Sequence, residues 1–139
     1  MTTRGLRNRN PGNLEKVMGT PWQGQILPGD DERFCTFESM VMGCRALIKT
    51  LVTYHTKHGC STVRSIIERW APSHENDTES YMEHVASSIS KGVDEAIPFD
   101  LDPTYYLAIA KTIARHENGS DALAISDDVW EEAYKLAGL

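Results

Sequence analysis

The sequence predicts a mainly helical α+β fold with one small β-hairpin. Three observations carry this. Five stretches after residue 38 place apolar side chains at helical spacing, and the first 37 residues are rich in Gly, Pro and Asn without that period. Inside this first segment, two short runs flank a Pro-Gly-Asp turn. At 139 residues, the chain has single-domain size and would bury roughly 70% of its unfolded surface, so residues 1–139 are expected to form one domain.

The segment from Arg4 to about Phe37 reads as loop plus hairpin. Its strands are Trp22-Gln23-Gly24-Gln25-Ile26 and Arg33-Phe34-Cys35-Thr36-Phe37, separated by Pro28-Gly29-Asp30. From Ser39, the spacing of Leu47, Leu51 and Tyr54 predicts the longest helix, stopping near Gly59. Ser61 can cap a second helix with Val63, Ile66, Ile67 and Trp70 on one face, ended by Pro72. Asp77 or Asn76 can cap a third, with Tyr81, Val85 and Ile89 in line. Asp102-Pro103 starts a fourth, whose stripe Tyr106, Ile109, Ala110, Ile113 runs up to Glu117, with Gly119 as a left-handed stop. Ser126 caps the last, with Val129, Ala133 and Leu136 on one side and Trp130 and Tyr134 overlapping it.

Charge and composition weigh against several functions. A net charge of −6 opposes the phosphate neutralisation on which nucleic-acid affinity rests, leaving only the short cluster Arg4, Arg7, Arg9 to favour it. No apolar run approaches the roughly 20 residues of a membrane span, and the N-terminus lacks the apolar core of a standard export signal. Cys35, Cys44 and Cys60 are odd in number and widely spaced, so they read as reduced and structural. The histidines form no zinc-binding pattern, and no cofactor or metal is expected. Neither a phosphate-binding glycine loop nor a nucleophile signature occurs.

Carboxylate chemistry is left. Glu117 ends an otherwise apolar helix, where partial burial and the helix's negative end would favour a retained proton, the requirement for an acid that protonates a leaving oxygen. The same position also suits a solvated glutamate before a glycine cap. The loop Arg4-Gly5-Leu6-Arg7-Asn8-Arg9-Asn10-Pro11-Gly12-Asn13-Leu14 concentrates side-chain amides that fit sugar hydroxyls or, equally, turns. A third cluster, Trp70 to Tyr81, fits a cleft wall or helix capping.

The motifs Arg4-Gly5-x-Arg7-Asn8-x-Asn10-Pro11-Gly12-Asn13, Trp22-x-Gly24, Phe34-x-x-Phe37 and Arg69-Trp70-Ala71-Pro72 with Glu75-Asn76-Asp77-Thr78-x-x-Tyr81 resemble a family of small phage and prophage proteins, often labelled virion structural proteins. The stretch Ile113 to Gly119 is in turn similar to the catalytic-glutamate helix end of lysozyme-like glucosaminidases and lytic transglycosylases. Asn13-Leu14 through Phe37 resembles their Asn-Leu loop and hairpin, and Asn76-Asp77-Thr78 to Tyr81 their later helix start. The order is rotated, as in a circularly permuted lysozyme-like domain.

This resemblance implies peptidoglycan glycan-strand cleavage, as muramidase, glucosaminidase or lytic transglycosylase. Glu117 would be the acid, Asp31 or the neighbouring Glu32 a second carboxylate, and Glu15 a competing acid. Asn10, Asn13, Trp22, Asn76 and Tyr81 would meet the glycan. Bacterial peptidoglycan is the expected partner, reached from the host cytoplasm through a holin or by virion delivery, with no nucleic acid and no membrane insertion. The alternative is a non-catalytic virion structural or glycan-binding protein.

Overall fold

The computed structural model describes residues 2–71 and 77–139. It is mainly helical with one two-stranded antiparallel sheet, as the sequence predicts. Among the described residues the elements run α1 (Arg4–Arg7), β1 (Gln25–Ile26), β2 (Thr36–Phe37), α2 (Met40–His58), α3 (Val63–Trp70), α4 (Thr78–Ser88), α5 (Thr104–Asn118), a 3-10 turn (Gly119–Ala124) and α6 (Asp127–Leu136). The chain divides into two compact units, Met1–Lys49 with Ile113–Leu139, and Thr50–Thr112.

In the first unit the hairpin is shorter than its sequence pattern. Gln25 pairs with Phe37 and Ile26 with Thr36, and an isolated bridge joins Glu15 to Phe34. The strands shrink because residues 30–35 spend their hydrogen bonds elsewhere. Arg33 and Phe34 N–H donate to the Asp31 carboxylate, and Cys35 N–H donates to Leu14 O. A local carboxylate and the preceding loop thus replace the cross-strand ladder. Cys35, Phe37 and Ala46 form a buried cluster backed by Leu14, Trp22 and Met42.

The N-terminal segment, expected as loop, opens with the single turn α1. Thr3 caps it, its hydroxyl accepting from Leu6 N–H. Ser39 opens α2 in the same way toward Met42. Gly119 takes φ +62°, the left-handed stop read from the sequence, and a 3-10 turn then leads to α6, capped by Ser126 as expected. Trp130 and Ala133 of α6 are buried, whereas Leu136 stays largely exposed.

In the second unit α3 and α4 pack together, burying Val63, Ile66, Ile67, Tyr81, Met82 and Val85. The cap of α3 falls on Thr62, one residue after Ser61. Thr62 and Ser65 form a reciprocal capping box, which satisfies two otherwise orphaned N–H groups where Ser61 would satisfy one. Asp77 caps α4; Asn76, its alternative, lies outside the described residues. Phe99 stacks on Tyr106 at 4.3 Å, and the Tyr106 hydroxyl lies 2.5 Å from His55 Nδ1.

Candidate functional site

The first unit joins the N-terminal loop to the end of α5, two segments more than a hundred residues apart in sequence. Asn118, the last residue of α5, is buried and ties them together. Its Nδ2 donates to Pro11 O at 2.8 Å and to Ala114 O at 2.9 Å, and its Oδ1 accepts from the Thr3 hydroxyl at 2.7 Å. Beside it, Asn13 Nδ2 donates to Glu117 Oε1 at 3.3 Å. Glu117 is half-buried.

Two backbone features permit this approach. Asn13 adopts φ +51°, a left-handed conformation that Asn tolerates better than most residues. Gly5 leaves room for the two amides: a Cβ there would lie 2.5 Å from Asn118 Oδ1 and 2.9 Å from Asn13 Oδ1. Asn13 Oδ1 is buried without a hydrogen-bond partner among the described residues. An unpaired buried acceptor carries a desolvation cost, so the Asn13 amide is held by packing on one side and by Glu117 on the other.

Around this point most of the loop's polar groups are already engaged. Asn10 is fully buried; its amide donates to Leu14 O and Cys35 O and accepts from Leu14 N–H. Both amide hydrogens are spent on main-chain carbonyls, so Asn10 fixes the loop and has no donor left for a sugar. Asn8 is likewise occupied, donating to Asp31 and accepting from the Thr36 hydroxyl.

Asp31 is the most heavily bonded carboxylate described. It receives Arg4 Nε at 2.7 Å and Arg4 Nη2 at 2.8 Å in a two-pronged pair, together with Asn8 Nδ2 and the N–H groups of Arg33 and Phe34. The Arg4 hydrogen bond first, then those from Phe34 and Asn8, hold its pKa well below the usual carboxylate range. With its lone pairs filled, Asp31 is a poor base and a poor nucleophile, and the structure gives it the role of clasping α1 to the hairpin loop. Glu15 is exposed and pairs with Arg33, Nε to Oε1 at 2.6 Å.

The remaining sequence candidates are placed differently. Trp22 is half-buried against the hairpin cluster, its main-chain N–H donating to Gln25 Oε1. Tyr81 belongs to the second unit, where it is 1% exposed and its hydroxyl accepts from Trp70 Nε1 at 2.9 Å. That environment makes it a core residue. Asn76 is outside the described residues. Sequence reasoning passed over Thr3 and Asn118, and named Asn8 only as part of the amide-rich loop. The signal for Asn118 was an amide directly after the glutamate at a helix end, where a side chain can reach the last carbonyls.

No protein-family model matches the chain. It is 37% identical over 120 residues to protein P5 of Pseudoalteromonas phage PM2, an alignment covering 85% of this chain and 72% of that protein. This chain belongs to the protein P5 family. That relative is a phage protein, in agreement with the phage and prophage resemblance read from the sequence. The aligned length takes in most of this P5-family chain, and among its described residues no helix is long and apolar enough to cross a membrane. No group of three or more His, Cys, Asp or Glu among those residues is arranged to hold a metal ion.

Proposed function

We propose that this P5-family protein cleaves peptidoglycan glycan strands, with Glu117 as the acid. The observation that carries the reading is the Asn13–Glu117 hydrogen bond, which brings the Asn-rich loop onto the glutamate-bearing helix end. In this reading the half-buried Glu117 carboxyl, oriented by the Asn13 amide, is the proton donor to the glycosidic oxygen.

The occupied state of Asp31 and the Glu15–Arg33 pair favour a mechanism with one working carboxylate. Glu117 protonates the bridging oxygen, the bond from the anomeric carbon to that oxygen breaks, and an oxocarbenium-like centre forms. The Glu117 carboxylate then removes the proton from the sugar's own 6-hydroxyl as that oxygen closes on the anomeric carbon, giving an anhydro end. Asn13 keeps Glu117 aimed throughout, and the partly exposed Trp22 indole is the aromatic surface offered to a sugar ring. Access to the wall would come by holin-assisted release or carriage in the virion.

The decisive test is turbidity loss and product mass on purified peptidoglycan, comparing wild type with Glu117→Gln. Loss of at least a hundredfold in rate with retained folding, and anhydro ends among the products, is the expected result. The rival reading, a non-catalytic virion structural or glycan-binding protein, draws on the commitment of Asn8, Asn10, Asp31 and Asn118 to scaffold bonds. Absence of cleavage by wild type on several wall types would select it.

A further inference from the structure

A second feature of the first unit lies apart from Glu117. Arg4, Arg7, Arg9, Asp30 and Asp31 line one cavity of about 320 Å³ between α1 and the hairpin loop. Arg4 and Asp31 compensate each other. Arg7 and Arg9 have no carboxylate partner among the described residues: Arg7 Nη1 donates to Thr2 O at 2.8 Å and Arg9 Nη1 to Phe37 O at 3.4 Å. A guanidinium has five N–H donors, so most of theirs remain available. In a chain of net charge −6, three arginines against two aspartates, Asp30 and Asp31, leave this one small cavity locally positive.

The arginines' backbone is also fixed in advance. Arg9 adopts φ +53°, and its carbonyl presses so closely on α2 that a Cβ on Gly43 would lie 1.8 Å from it. Between the two arginines, Asn8 is anchored to Asp31 and Thr36. A fixed backbone spares the main-chain part of the ordering cost of binding, while the two arginine side chains themselves are exposed.

The geometry points to an oxyanion-binding site in which Arg7 and Arg9 together grip one carboxylate or phosphate group. The volume is at the lower end for ligand pockets, which suits a single small group rather than a polymer backbone. Paired N–H donors of arginine match either oxyanion. In the cell this chemistry is supplied by a stem-peptide carboxylate of the wall or by a phosphate group. The site stands whether or not Glu117 cleaves glycan.

The test is a calorimetric or NMR titration at fixed ionic strength with two probes: inorganic phosphate, and a disaccharide-tetrapeptide muropeptide with free or amidated carboxylates. Arg7→Gln and Arg9→Gln should each weaken the bound probe about tenfold. Asp30→Asn should strengthen it roughly threefold by removing a like charge from the cavity. That gain cannot come from misfolding. Preference for phosphate, or loss of muropeptide binding on amidation, names the source of the anion. The assignment is overturned if neither probe binds, if the arginine variants bind as wild type does, if Asp30→Asn weakens binding, or if duplex DNA displaces the probe with a steep salt dependence.

Discussion

Replacing Gly43 by Ala sets two effects of opposite sign against each other. In an open helix position the change would stabilise α2 by up to about 1 kcal/mol, because Ala restricts the unfolded chain and Gly does not. Here the added Cβ would meet Arg9 O at 1.8 Å, Arg9 C at 2.8 Å and Pro11 Cδ at 3.1 Å. The obstacle is main chain, so no rotamer change relieves it; the loop must lift from α2 by more than 1 Å. That loop is held by the three bonds of Asn10 and by Asn118 on Pro11 O. Overpacking of this kind costs about 3 kcal/mol at the upper end of the usual range, leaving a net loss of about 2 kcal/mol. For a chain of this size the midpoint should fall by about 6 °C. Thermal and urea unfolding of Gly43→Ala measure it, with Gly92→Ala as control. At Gly92 an added Cβ meets nothing closer than 3.8 Å, and the change should stay within about 0.5 kcal/mol. A Gly43→Ala protein as stable as wild type, or more so, would refute the close approach of the Arg9 carbonyl to α2.

Three further outcomes are expected. Asn118→Ala removes the donor to Pro11 O and the acceptor of the Thr3 hydroxyl inside a buried site, and chemical denaturation should register a loss of about 2–4 kcal/mol. Asp31 is more acidic folded than unfolded, with Arg4 the main cause, so its contribution is complete above the unfolded carboxylate value near about 4 and fades as pH falls below it. Stability measured against pH should therefore be level above about pH 5 and decline in acid, and Asp31→Asn should lower the plateau and flatten that decline. All three thiols are free and buried, and burial pushes the Cys44 and Cys35 thiols upward. A thiol reagent at pH 8 should titrate none of them until the protein is unfolded, then all three; rapid labelling of Cys44 in the native state would contradict its burial.

The helical part of the fold was legible because its signals are local. Apolar residues at helical spacing, Ser126 and Asp77 as caps, and Gly119 as a stop act within a turn or two of themselves, so sequence alone places these elements to within a residue or so. The hairpin was legible as a pair but not in length. A carboxylate at position 31 that captures the N–H groups of Arg33 and Phe34 leaves no trace in an alternation pattern.

The candidate site divides along the same line. Sequence by itself pointed to Glu117 and to the Asn-rich loop as two features, through a helix end and a density of amides. Only the tertiary structure decided which amide meets the glutamate and which are consumed as scaffold. Asn8, Asn10 and Asn13 are the same residue type within six positions, yet the first two are bonded to Asp31 and to main-chain carbonyls while the third reaches Glu117. Tyr81, read as a glycan contact, is instead a core hydroxyl bonded to Trp70. Side-chain chemistry lists what a group can bond to, but its partner is set by which distant segments the folded chain brings within about 3 Å, and that is information no local pattern carries.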